Sequence, residues 1–126
     1  MINITLTGNL VKDPELRFSQ AGKAWMFARV AGDTGKNKEG IPNAPVFIDI
    51  KLWNEIAENV ATSLRKGMRI VVTGELINEV YEKDGQKISN LTIRAHEVSP
   101  SLRYATVEVI ATPKDVASNN GFDEVE

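Results

Sequence analysis

Apolar and polar residues alternate from the first positions of the chain. Ile2, Ile4 and Leu6 are interleaved with Asn3, Thr5 and Thr7, the two-residue period of a β-strand. Gly8-Asn9 interrupts that run and predicts a bulge or bend before Leu10-Val11. Asp13-Pro14 and Ser19-Gln20-Ala21-Gly22 are turn signals. Residues 24–31 alternate again, with Ala24, Met26, Ala28 and Val30 on one face and Trp25, Phe27 and Arg29 on the other. Residues 32–45 are rich in glycine, proline and charge, which predicts a long exposed loop. A third strand follows over 46–53, its faces Val46/Ile48/Ile50/Leu52 and Phe47/Asp49/Lys51/Trp53.

The period then changes. Ile56, Val60 and Leu64 repeat at four, with Ala57 and Ala61 beside them, which predicts a helix over 54–66. Asn54 suits its N-cap, Glu55 its first turn, Arg65 and Lys66 its last, and Gly67 its stop. Residues 69–76 return to strand period with Ile70, Val72 and Leu76 inward. Residues 77–82 and 86–94 flank Lys83-Asp84-Gly85, a hairpin signal. Pro100 breaks the chain, and 102–109 reads as one more strand outside the main set. A parallel α/β sheet needs helices between successive strands, and these are missing. Short strands with one helix between the third and fourth give the order of an all-β, five-stranded OB barrel, here with an extra C-terminal strand.

Charge refines this picture. The 126 residues carry 15 basic and 17 acidic side chains, net −2, which taken alone argues against a nucleic-acid binder. The charge is uneven. Up to Thr112 there are 14 basic and 13 acidic residues, leaving +1; beyond it Lys114 stands against Asp115, Asp123, Glu124 and Glu126, leaving −3. The expected organisation is one domain over 1–112 and a short disordered acidic tail over 113–126. No apolar run approaches the roughly 20 residues of a membrane helix, and the start has no basic, then apolar, leader pattern. With no cysteine and one histidine, a thiolate metal site, a disulfide scaffold and a cysteine nucleophile are excluded, and a cytoplasmic protein fits.

The aromatic residues carry the candidate chemistry. Sequence-tolerant single-strand binding combines outward aromatics that stack on bases with lysines and arginines that follow the phosphates. Phe47 and Trp53 lie on the polar face of their strand with Lys51, while the opposite face is wholly aliphatic. Tyr81 lies near the hairpin tip beside Lys83. Trp25 and Phe27 share a face with Arg29, either a binding face or a subunit interface; exposed apolar pairs argue for the interface. No phosphate-cradling glycine motif is present, and His96 has no second metal ligand, so neither an enzyme nor a cofactor or metal is expected.

Gly8-Asn9-Leu10 followed by Asp13-Pro14-Glu15-Leu16-Arg17, then Ala57-Glu58, Leu64-Arg65-Lys66-Gly67 and Gly74-Glu75-Leu76, resembles the bacterial single-stranded DNA-binding protein family. The resemblance spans about 2–109. Pro100-Ser101-Leu102-Arg103-Tyr104-Ala105-Thr106 is similar to the actinobacterial branch, where it implies an extra strand that clamps neighbouring subunits. The resemblance implies a homotetramer, a dimer of dimers, that wraps single-stranded DNA in replication, recombination and repair without chemistry. Its stacking aromatics would fall at Phe47, Trp53 and Tyr81, and its phosphate contacts at Arg17 and Lys66; apart from the resemblance, Lys36, Lys51 and Lys83 are further basic candidates. Subunit contacts would fall at Trp25, Phe27, Leu102, Tyr104 and Val107. A loop aromatic common in the family is replaced by Lys36 and Lys38, and a basic residue early in the helix by Glu55. Both changes point to weaker affinity or a different strand path. The tail carries Phe122-Asp123-Glu124-Val125-Glu126 in place of a terminal Pro-Phe, although replication or repair proteins remain its expected partners. The short form suits a phage-encoded or accessory copy acting in the host cytoplasm. The alternatives are an OB protein-interaction subunit of a replication complex that binds no DNA itself, and an oligosaccharide binder, which the missing leader and cysteines disfavour.

Overall fold

Strict alternation builds the centre of the sheet. In β3 (Ala24–Gly32) every even-numbered residue is buried and every odd-numbered one is half-exposed. The strand pairs antiparallel with β4 (Val46–Trp53) across the long loop. There Ile48, Ile50 and Leu52 are buried. The computed structural model describes residues 1–113; the acidic tail beyond Pro113 lies outside the described residues.

β1 (Asn3–Leu10) pairs antiparallel with β5 (Arg69–Lys83) along most of its length and with β3 through residues 8–10. β5 pairs with β6 (Gln86–Pro100), and β6 meets β4 in a short parallel seam, Asp49 to Lys51 against Thr92 to Arg94. These contacts close the ring β1-β5-β6-β4-β3, the five-stranded OB barrel. A sixth strand, β2 (Glu15–Phe18), extends the sheet beyond β3. It is four residues long between two turn signals, too short to show a period of its own.

Gly8 forms no bulge. β1 runs unbroken, and Gly8 sits at the closure, opposite Gly32 and Ile70. A Cβ there would lie 2.3 Å from the Ala31 carbonyl oxygen, so close backbone approach is what the glycine provides. The irregularity occurs between β5 and β6 instead. Thr73 faces Glu97 but Gly74 faces Ala95, so His96 is an extra residue on β6. The inward set changes parity there, from Ile93 and Ala95 to Val98. For that reason the alternation breaks after Arg94 in sequence, whereas the strand continues to Pro100.

The hairpin arm is longer than its two short runs suggest. β5 and β6 each hold 15 residues, joined by Asp84 and Gly85 at φ 52° and 78°, the two-residue turn that suits twisted strands.

The helix α1 (Asn54–Ser63) is shorter than 54–66, and Asn54 does not cap it. Trp53 holds the cap position without a side-chain hydrogen bond, and Asn54 takes φ 66° to turn strand into helix, a conformation asparagine tolerates. Beyond Ser63 the chain becomes extended at Leu64. Arg65 Nη1 donates to the carbonyls of Ala61 (2.7 Å) and Leu64 (2.8 Å), satisfying the helix end. Ala57, Val60 and Leu64 join Met26, Ile50, Leu52, Ile70 and Ile93 in one buried core.

Residues 102–109 form no strand in this chain. The segment folds back toward Gly67-Met68-Arg69, with Tyr104 over the Arg69 guanidinium at 5.8 Å. Leu102, Tyr104 and Val107 remain exposed, Tyr104 at 78%. A strand needs a partner edge for its backbone hydrogen bonds, and among the described residues this segment pairs with none.

Candidate nucleic-acid interface

The strands that bury Met26, Ile50 and Leu52 inward must present their alternate residues outward. Registers then decide which of these meet. Trp25 lies opposite Trp53, Phe27 opposite Lys51, Arg29 opposite Asp49, and Ala31 opposite Phe47. β2 adds Arg17 opposite Trp25 and Glu15 opposite Phe27. The arm formed by β5 and β6 adds Tyr81, Glu79 and Asn90 from the other side. The result is an open groove with Trp25, Phe27 and Tyr81 around Lys51 and Arg17.

Phe47, Trp53 and Tyr81 are 48%, 41% and 50% exposed, although aromatic rings of this size are favoured inside. Their exposure leaves flat apolar faces available for stacking.

Basic groups are held among these rings. Lys12 Nζ lies 5.3 Å from the centre of Phe27, Arg17 stands 5.9 Å from that of Trp25, and Arg29 5.3 Å from that of Phe47. Arg17 donates to Glu15 (2.9 Å), Arg29 to Asp49 (3.2 Å) and Lys51 to Glu79 (2.9 Å). Asp49 also accepts from Asn90 Nδ2 at 2.6 Å. The Lys51 hydrogen bond and charge hold the Glu79 carboxyl below the usual range, so it stays ionised.

Of the predicted contact residues, Arg17, Lys51 and Tyr81 line the groove, and register places Trp53 and Phe47 on the same face. Lys36, Lys66 and Lys83 do not line it. Lys36 pairs with Pro42 in the long loop, the Lys66 amide is bonded to Asp13, and Lys83 closes the hairpin opposite Gln86. In that loop the Gly35 amide and the Arg69 guanidinium hold Asp33 below its ordinary pKa. Trp25 and Phe27 line the groove with the candidate DNA contacts. Glu79 and Asn90 were not singled out by sequence. They come from strands 28 and 41 residues away from their partners, Lys51 and Asp49, and no local pattern signals such a meeting. Among the described residues no group of three or more metal-binding side chains forms, and no helix is long and apolar enough to cross a membrane.

Known proteins share the sequence pattern and the fold of this chain. The profile of the single-strand binding protein family matches residues 1–101. The single-stranded DNA-binding protein of Corynebacterium glutamicum is 42% identical over 120 residues, covering 89% of this chain and 52% of its own length. That of Mycobacterium leprae is 40% identical over 114 residues, covering 84% of this chain and 66% of its own. The chain thus spans about half to two-thirds of the length of these relatives. Among solved structures, the small single-stranded DNA-binding protein from Streptomyces coelicolor superposes with a TM-score of 0.73 at 22% identity. It covers 82% of this chain and 97% of its own, a likeness of fold.

Proposed function

This chain belongs to the single-strand binding protein family, and from that premise we propose that it binds single-stranded DNA with little sequence preference and protects it during replication, recombination and repair. The observation that carries this reading is the exposure of Phe47, Trp53 and Tyr81 on the outward face that also holds Arg17 and Lys51. Stacking is tolerant of sequence because every base has a flat face. The placement of Trp25 and Phe27 supports counting them with the DNA face rather than with a separate subunit interface. The chain holds its ligand without altering it.

Titration with oligo-dT tests the reading. Of the two tryptophans of the chain, Trp25 lines the groove and Trp53 lies opposite it on the neighbouring strand. Their fluorescence should be quenched on binding, and affinity should fall as salt rises. Duplex DNA bound equally well, or no salt-sensitive binding, would refute it. A subunit that only contacts other proteins would be expected to bury Trp53, which is 41% exposed in this chain.

The assembly we infer is a homotetramer, a dimer of dimers. In its support, among the described residues positions 3–6 of β1 pair only with β5, on one backbone edge. Residues 102–109 support a clamp role, since none of the described residues offers that segment a strand partner. A chain ending at Pro100 is expected to give a smaller or less stable assembly by light scattering; an unchanged, equally stable tetramer would remove that role. The acidic tail is the segment proposed to meet replication or repair proteins, and the cytoplasm the compartment.

A further inference from the structure

Four cations on the groove face already have carboxylate partners. Lys12 and Arg17 both reach Glu15, at 3.8 and 2.9 Å. Arg29 reaches Asp49 at 3.2 Å, and Lys51 reaches Glu79 at 2.9 Å. Three of these cations also stand over a ring: Lys12 over Phe27, Arg17 over Trp25 and Arg29 over Phe47. Ring, cation and carboxylate recur in that order. A bound nucleotide would supply the same two things, a flat partner for the ring and an anion for the cation. In the free chain the cation lies over the ring where a base would stack. The carboxylate takes the hydrogen bonds a phosphate would accept.

We propose that Glu15, Asp49 and Glu79 are positioning residues that act as internal substitutes for phosphate, and that a single strand binds by displacing them. The inference rests on the single-stranded DNA reading above. It has a consequence for salt dependence. Each neutralised phosphate of a single strand contributes a slope of about −0.7 in log affinity against log salt, through release of condensed counterions. A carboxylate set free at the same moment takes up a counterion from solution. An exchanged contact therefore adds little to the slope, and the cation contributes less to affinity than its charge suggests. The low charge of the body, +1 up to Thr112, is then matched by pairing within the face itself.

Glu79→Gln and Glu15→Gln test the proposal, since both side chains are solvent-accessible and both substitutions keep shape while removing charge. Oligo-dT is titrated into the full chain over a salt series, with circular dichroism to confirm folding. Each variant is expected to bind about 3- to 10-fold more tightly at low salt. The slope should steepen by about 0.7 for Glu79→Gln, which frees one cation, and by up to about 1.4 for Glu15→Gln, which frees two. In a Lys51→Ala background, Glu79→Gln should lose both effects. Wild-type binding with unchanged affinity and slope in both variants would overturn the proposal. So would an equal gain from Glu79→Gln without Lys51, which would mark general repulsion of phosphate. A wild-type chain that binds no oligo-dT would instead overturn the DNA reading, and this proposal with it.

Discussion

Trp53→Ala is expected to weaken oligo-dT binding by about 5- to 150-fold, the equivalent of about 1–3 kcal/mol for one lost stacking partner. Trp53 stands at the end of β4, opposite Trp25, with 41% of its surface exposed. Its indole is thus available to a base without first leaving the core, and the fold should survive its truncation. The same substitution should remove the larger share of the fluorescence response. Trp25, half-buried and under the Arg17 guanidinium, would remain as the weaker reporter. Trp53→Tyr should restore most of the affinity, because it keeps a flat ring. Equal affinities for wild type and Trp53→Ala, both folded by circular dichroism, would remove Trp53 from the binding face.

Gly74→Val is expected to lower stability by about 3 kcal/mol, the upper end of the usual cost of overpacking, and melting by roughly 10 °C. A Cβ at this position would lie 2.3 Å from the Arg94 carbonyl oxygen and 2.7 Å from the Ala95 Cα. Both are backbone atoms of the facing strand, so no side chain can rotate away. The strands would have to part where Gly74 faces Ala95 and His96 is extra. That opening would disturb Ile93 and Ala95 in the core on one side and Arg94 on the other. Differential scanning calorimetry gives the shift directly, and unchanged melting would show that β5 and β6 can separate there freely.

These two sites illustrate what the sequence could and could not disclose. The outward position of Phe47 and Trp53 was legible because β4 alternates cleanly against a wholly aliphatic face. The barrel was legible because one helix stands among many short strands. The register of β6 was hidden by a single extra residue: His96 shifts the inward set from odd to even positions, and a strand with two parities looks like an ending. Gly8 was visible as an interruption, but sequence could not distinguish a bulge from a close approach. Asn54 has the right chemistry for a cap, yet the chain needs a left-handed residue there more than it needs a capping side chain. The meeting of Lys51 with Glu79 and of Asp49 with Asn90 was invisible for a different reason. Each depends on the closed ring, which brings distant strands together. Residues 102–109 read as a strand, but pattern alone cannot supply the edge that such a strand must meet.

The parallel seam between β4 and β6 gives the site a mechanical role. It joins just three residue pairs, Asp49 to Thr92 through Lys51 to Arg94, whereas the neighbouring β5–β6 ladder runs almost the length of both strands. Two of the three β4 residues in that joint, Asp49 and Lys51, point into the groove, and their partners Asn90 and Glu79 reach across from the arm. A strand of DNA laid over these residues would span one of the two three-pair joints of the barrel like a splint. Occupancy would therefore strengthen the fold itself, since a ligand bound only to the closed form raises the free energy of opening by mass action.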